Sequence, residues 1–151
     1  VLAAALAAFI VASIPMVNLG FSVEKADMSS YSWLQGDFTM LILALPAVYL
    51  VSAVGEEVIY RGFLITRLLE LGNSNRRSFS ACTIVFSAVV FGLIHFGWGL
   101  MGIVQTTCMG LVLAAAYLLL QRNLWPLILA HGYMDTVLLV QIYLGPGQSA
   151  S

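Results

Sequence analysis

Five long apolar runs, separated by short polar segments, constrain the fold of this 151-residue chain more than any other feature. The runs extend over about 1–19, 38–71, 79–97, 100–120 and 124–144. Every backbone polar group in hydrocarbon must be satisfied within the protein, and a helix of about 20 apolar residues does so in a single crossing. The pattern predicts a single domain over 1–151: an all-α, polytopic transmembrane helix bundle with about five spanning helices.

The overall composition separates this chain from soluble proteins. Hydrophobic residues make up 61% of it and charged residues only 9%, with a mean hydropathy of +0.98. A soluble domain carries roughly 25% charged residues. The runs are continuous and lack the alternating pattern of a membrane β-barrel. A net charge of −1 indicates no nucleic-acid partner. The apolar runs predict a multi-pass integral membrane protein, with membrane lipids as its surroundings.

Ionisable residues inside the apolar runs form the candidate site. A charge in hydrocarbon is costly unless it is paired or hydrated, so such residues indicate function by default. They come from the second, third and fifth runs, and they are Glu56, Glu57, Arg61, His95, His131 and Asp135. We expect these side chains to converge on one buried site.

The adjacent glutamates are predicted to have different roles. Glu57 lies four residues before Arg61, on the same helix face, and this order of acid and base favours an ion pair. Glu57 and Arg61 are therefore assigned a structural, positioning role. Glu56 has no cation one turn away, which makes it the candidate general base for water. The alternative is that both acids only hold helices together.

The two histidines differ in how strongly they indicate a functional site. His95 alone is ambiguous, because a single membrane histidine often only hydrogen-bonds a neighbouring helix. His131 lies four residues before Asp135, and a carboxylate at that spacing can fix the tautomer of the imidazole.

Three short motifs carry a resemblance to a known family. The segment 56–61 reads EEVIYR and resembles the EExxxR signature of the CAAX prenyl protease and bacteriocin-processing (CPBP, or Abi) intramembrane proteases. The segment 91–95 resembles their FxxxH motif, and 131–135 resembles HxxxN/D. The motifs occur in the family's order on apolar segments, and the resemblance covers about 38–140.

The resemblance implies a membrane endopeptidase of a bacterial cell membrane. In such an enzyme Glu56 would activate water together with His95, while His131 and Asp135 would stabilise the oxyanion. Two residues depart from the family pattern: Tyr60 replaces the more usual phenylalanine, and Asp135 stands where asparagine is common. An ionised aspartate would repel an oxyanion, so Asp135 must be protonated or must orient His131. Because family members usually have more spans and this sequence begins at Val1, we expect it to be part of a longer chain.

The cofactor, the substrate and the function class keep alternatives open. We favour a site without metal, since no HExxH helix is present; a divalent ion such as zinc would use Glu56, His95 and His131. CAAX tails, bacteriocin leaders and pheromone peptides, with or without a lipid, all remain candidate substrates. A transporter or proton relay is the main alternative to a protease, because buried acids and histidines also line ion paths. A protease-like scaffold with an unused site is a third interpretation.

Overall fold

The computed structural model of the protein describes residues 26–72 and 77–145, together with the single residue Ala3. Within these residues the chain is helical and contains no strand. It forms four main helices: α1 (Phe38–Leu71), α2 (Arg77–Leu93), α3 (Gly99–Leu119) and α4 (Trp125–Leu144). The predicted all-α helical membrane bundle is confirmed.

The number of spans needs correction. In the described part of the chain, three helices are long and apolar enough to cross a membrane: α1, α4, and α3 together with the short 3₁₀ turn before it, Phe96–Leu119. The prediction of about five spans is wrong in this part of the chain. The third predicted span, 79–97, is not a spanning helix, because the helix there, α2, ends at Leu93 and has only 17 residues. The predicted first span, 1–19, lies outside the described residues.

Helix α1 extends without interruption over 34 residues, as predicted for the second run. Asp37 caps its N-terminus by accepting a hydrogen bond from the Met40 N–H at 3.0 Å. Its middle section, Val48–Ile65, is π-helical and begins two residues after Pro46. Proline has no N–H to donate to the backbone hydrogen bonds of a helix. Along this section and its continuation the buried residues recur every fourth position: Ala53, Glu57, Arg61, Ile65 and Leu69. One face of α1, carrying both members of the predicted ion pair, is thus directed at the protein interior.

Helices α2 and α3 pack along each other through small residues, the arrangement expected from their glycine content. A Cβ atom added at Gly110 would lie 3.2 Å from Cα of Ala88, so the two backbones approach closely there. Gly92 is even more tightly enclosed, because an added Cβ would meet the Thr107 side chain and would lie 2.8 Å from the Ile103 carbonyl oxygen.

We predict that Gly92→Ala destabilises the bundle. The backbone carbonyl of Ile103 cannot move aside as a flexible side chain would, and overpacking of this kind costs about 1–3 kcal/mol. Thermal unfolding in detergent should show a lower midpoint. Gly97→Ala is the matched control, since nothing lies within 4 Å of a Cβ added there. Equal midpoints for the two variants would contradict the close contact at Gly92.

Helix α4 lies against the middle of α1, and the segment that precedes α1 packs against both helices. Gly132 of α4 allows the close approach, because an added Cβ would lie 2.8 Å from Cδ1 of Tyr49 on α1. The segment before α1 contains a 3₁₀ turn, Ser29–Leu34, whose Leu34 is buried in a small cluster with Leu41 and Leu139. The Gly36 N–H donates to the Tyr143 carbonyl at 3.1 Å.

Candidate active site

A cavity of ≈ 570 Å³ lies between α1, α4 and the turn that joins α2 to α3. Four of the six predicted site residues line it: Glu56, His95, His131 and Asp135. The other two, Glu57 and Arg61, are completely buried, each with 0% of its surface exposed, and do not line it. The structure therefore brings all three motif-bearing segments to one place.

Glu57 and Arg61 form a buried ion pair beside the cavity. Nη1 of Arg61 lies 2.9 Å from Oε1 of Glu57, and Nη2 donates to the Gly110 carbonyl of α3 at 3.4 Å. The guanidinium carbon also lies 4.5 Å from the centre of the Phe91 ring on α2, in a cation–π contact. Arg61 thus connects α1 to both α2 and α3.

His131 is oriented by the same glutamate. Its Nδ1 lies 2.8 Å from Oε1 of Glu57, and because a carboxylate held by arginine can only accept, Nδ1 must carry the hydrogen. The other ring nitrogen, Nε2, lies 3.8 Å from Oε2 of Glu56 and 3.6 Å from Oδ2 of Asp135. Glu57 therefore holds the ring with Nε2 next to the two carboxylates that line the cavity.

His95 lies in the turn that follows α2 rather than in a regular helix. The predicted third run continued to residue 97, but α2 ends at Leu93 and His95 lies in the turn that follows. Its Nδ1 lies 2.8 Å from the Phe91 carbonyl oxygen, which only accepts, so Nδ1–H is the donor. In the neutral ring Nε2 is then left free to accept a hydrogen bond.

Ser52 and Trp98 also line the cavity, although neither was predicted to have a chemical role. The Ser52 hydroxyl donates to Oδ2 of Asp135 at 2.8 Å and lies 3.5 Å from Nε2 of His131. The Trp98 ring packs edge-on against His95, with 4.7 Å between ring centres, and lines the cavity. The signal for Ser52 was its position one turn before Glu56, on the same face of a largely apolar helix segment.

Two features of the cavity bear on what it can bind. Oε2 of Glu56 and Oε2 of Glu57 are both buried without a hydrogen-bond partner among the described residues, but only Glu56 lines the cavity, with 24% of its side chain exposed. A partly exposed carboxylate at the cavity can accept a hydrogen bond from water or from a ligand. The rest of the cavity wall is largely apolar, and α4 contributes Met134, Leu138, Leu139 and Ile142 to it.

The site residues do not form a metal-binding cluster in the described part of the chain. Within residues 26–72 and 77–145, no group of three or more histidine, cysteine or acidic side chains has a geometry that could hold a metal ion. The predicted candidates Glu56, His95 and His131 share the cavity but do not form such a group.

The family described as type II CAAX prenyl endopeptidase Rce1-like matches residues 38–137. The match covers most of the described chain and contains all six predicted site residues together with Ser52. No curated protein and no solved structure matches the chain.

Proposed function

This chain belongs to the type II CAAX prenyl endopeptidase Rce1-like family and is a membrane protease, and from that premise we propose that Glu56 activates the water that hydrolyses the peptide bond. One observation carries the proposal. Glu56 lines the cavity with 24% of its side chain exposed, whereas its neighbour Glu57 is completely buried, does not line the cavity and is engaged through Oε1 by Arg61 and His131. Of the two adjacent acids, only Glu56 is thus available to a water molecule in the cavity.

The reaction would proceed in two stages. The Glu56 carboxylate removes a proton from water while the hydroxide forms a bond to the scissile carbonyl carbon. The resulting oxyanion is stabilised by the Nε2–H of a doubly protonated His131, beside Asp135. The C–N bond then breaks as Glu56 passes its proton to the leaving amine, which yields a carboxylic acid and an amine. His95, with Nδ1 fixed by the Phe91 carbonyl, holds the water from the other side through Nε2.

We propose that the substrate is a peptide or protein segment cleaved near the membrane, of the CAAX type or a leader or pheromone peptide. The apolar wall provided by α4 supports this, because it would cover hydrophobic side chains or a lipid next to the polar groups. The ≈ 570 Å³ of the cavity is within the usual size range of ligand sites, about 300–1,000 Å³.

The proposal is tested by cleavage of a tagged peptide panel with the protein in liposomes. The panel holds a lipidated CAAX peptide, its unlipidated form and an unrelated leader peptide. We expect one class to be cleaved, and to be cleaved at the same rate after extensive chelation, because the proposed mechanism uses no metal. Loss of activity on chelation, with recovery on adding zinc, would overturn the metal-free step and indicate Glu56, His95 and His131 as ligands. A pH-driven proton flux without any cleavage would instead favour a proton relay.

A further inference from the structure

Ser52 donates to a carboxylate, whereas the threonine hydroxyls of the described helices for which a carbonyl contact is resolved use a backbone oxygen of their own helix. Thr83, Thr106 and Thr136 each donate to the carbonyl oxygen four residues earlier in their own helix. This back-bonding is the usual use of a hydroxyl in a membrane helix. Ser52 instead donates across the helix interface, to a carboxylate 83 residues away.

The carboxylate that Ser52 contacts is next to the reacting groups. Oδ2 of Asp135 accepts from the Ser52 hydroxyl at 2.8 Å and lies 3.6 Å from Nε2 of His131. The Ser52 oxygen itself lies 3.5 Å from the same Nε2. Because Asp135 is 18% exposed and lines the cavity, a rotation of its side chain would carry the carboxyl away from His131.

We propose that Ser52 is a positioning residue of this site, which holds the Asp135 carboxyl against His131 on the side of the imidazole shared with Glu56. This inference rests on the proposed function, in which the Nε2–H of His131, with Asp135 beside it, stabilises the oxyanion. Glu57 holds the His131 ring at Nδ1. Ser52 and Asp135 lie next to the other ring nitrogen, Nε2. Ser52 acts through these two side chains and takes no part in bond formation.

The kinetic test compares Ser52→Ala with Ser52→Thr. Ser52→Ala should lower kcat by about 10- to 100-fold with KM changed by no more than about threefold, since a hydrogen bond to a charged group near the transition state is lost. Ser52→Thr keeps the hydroxyl and should restore kcat to within about threefold of the wild type. In an Asp135→Ala background, Ser52→Ala should have less than about a threefold further effect, because its partner is already absent.

Ser87→Ala is the matched control. The Ser87 hydroxyl donates to the Tyr60 carbonyl at 3.3 Å and does not line the cavity, so this variant should retain the wild-type kcat. A loss of kcat in Ser52→Ala that persists undiminished in the Asp135→Ala background would overturn the proposal. So would a Ser52→Thr protein as inactive as Ser52→Ala.

A second readout does not depend on catalysis. The chain has only two histidines, so ¹⁵N-histidine labelling yields just two imidazole spin systems, which His131→Gln assigns. Ser52→Ala should shift the Nε2 resonance of His131 and leave that of His95 unchanged. An unchanged His131 resonance would contradict the positioning role even if the protein is a protease, and a shift would support it even if Glu56 proves not to be the base.

Discussion

Glu56→Gln should abolish peptide-bond hydrolysis while leaving the protein folded. Glutamine keeps the size and shape of the side chain but cannot accept the proton from water, and loss of a general base lowers the rate by about 10²- to 10⁴-fold. The position is 24% exposed and outside the buried ion pair, so we expect no change in thermal unfolding. Single-turnover cleavage of the preferred peptide, measured on purified protein in liposomes, provides the rate.

Glu70→Gln is the control for this experiment. Glu70 pairs with Arg67 near the end of α1, and both side chains are more than half exposed, so the same chemical change there should leave cleavage unaffected. If Glu56→Gln retained activity within twofold of the wild type, Glu56 could not be the base and the proposed mechanism would be wrong.

Arg61→Ala should destabilise the fold and, as a consequence, the activity. The substitution removes the partner of a carboxylate that is 0% exposed, together with the contacts of Arg61 to Gly110 and Phe91. Breaking a buried ion pair by removing one member costs about 3–5 kcal/mol, because the remaining charge is left without compensation. The midpoint of thermal unfolding, measured in detergent with and without lipid, should fall clearly.

Arg67→Ala gives the matched comparison for Arg61→Ala. Arg67 also pairs with a glutamate on α1, but its side chain is 61% exposed, and exposed pairs contribute only about 0–1 kcal/mol. An Arg61→Ala protein as stable as Arg67→Ala would contradict the structural role assigned to the buried ion pair.

These two expected results describe different roles for two adjacent residues. Glu56 lines the cavity and is partly exposed there, whereas Glu57 is completely buried, with its Oε1 2.9 Å from Arg61 and 2.8 Å from His131. Sequence spacing separates the two acids, because only Glu57 has an arginine one turn later. It does not reveal that Glu57 also orients the imidazole.

The features that the sequence alone determined are those set by local chain chemistry. Long apolar runs form helices because backbone groups must pair within the segment, and α1 begins and ends close to the limits read from its sequence. The spacing of Glu57 and Arg61 requires only one helical turn to bring them together, and the three motifs, in their order, indicate the protease family.

Only the tertiary structure decided which side chains meet across helices. The contacts of His131 with Glu57 and of Asp135 with Ser52 join residues 74 and 83 positions apart, and they depend on how α1 and α4 are rotated about their axes. Hydropathy does not fix that rotation. Close packing does, at positions such as Gly132 against Tyr49. The same applies to the end of α2 at Leu93, since Ile94 and Phe96 are as apolar as the helix before them, and the turn there places His95 in the cavity.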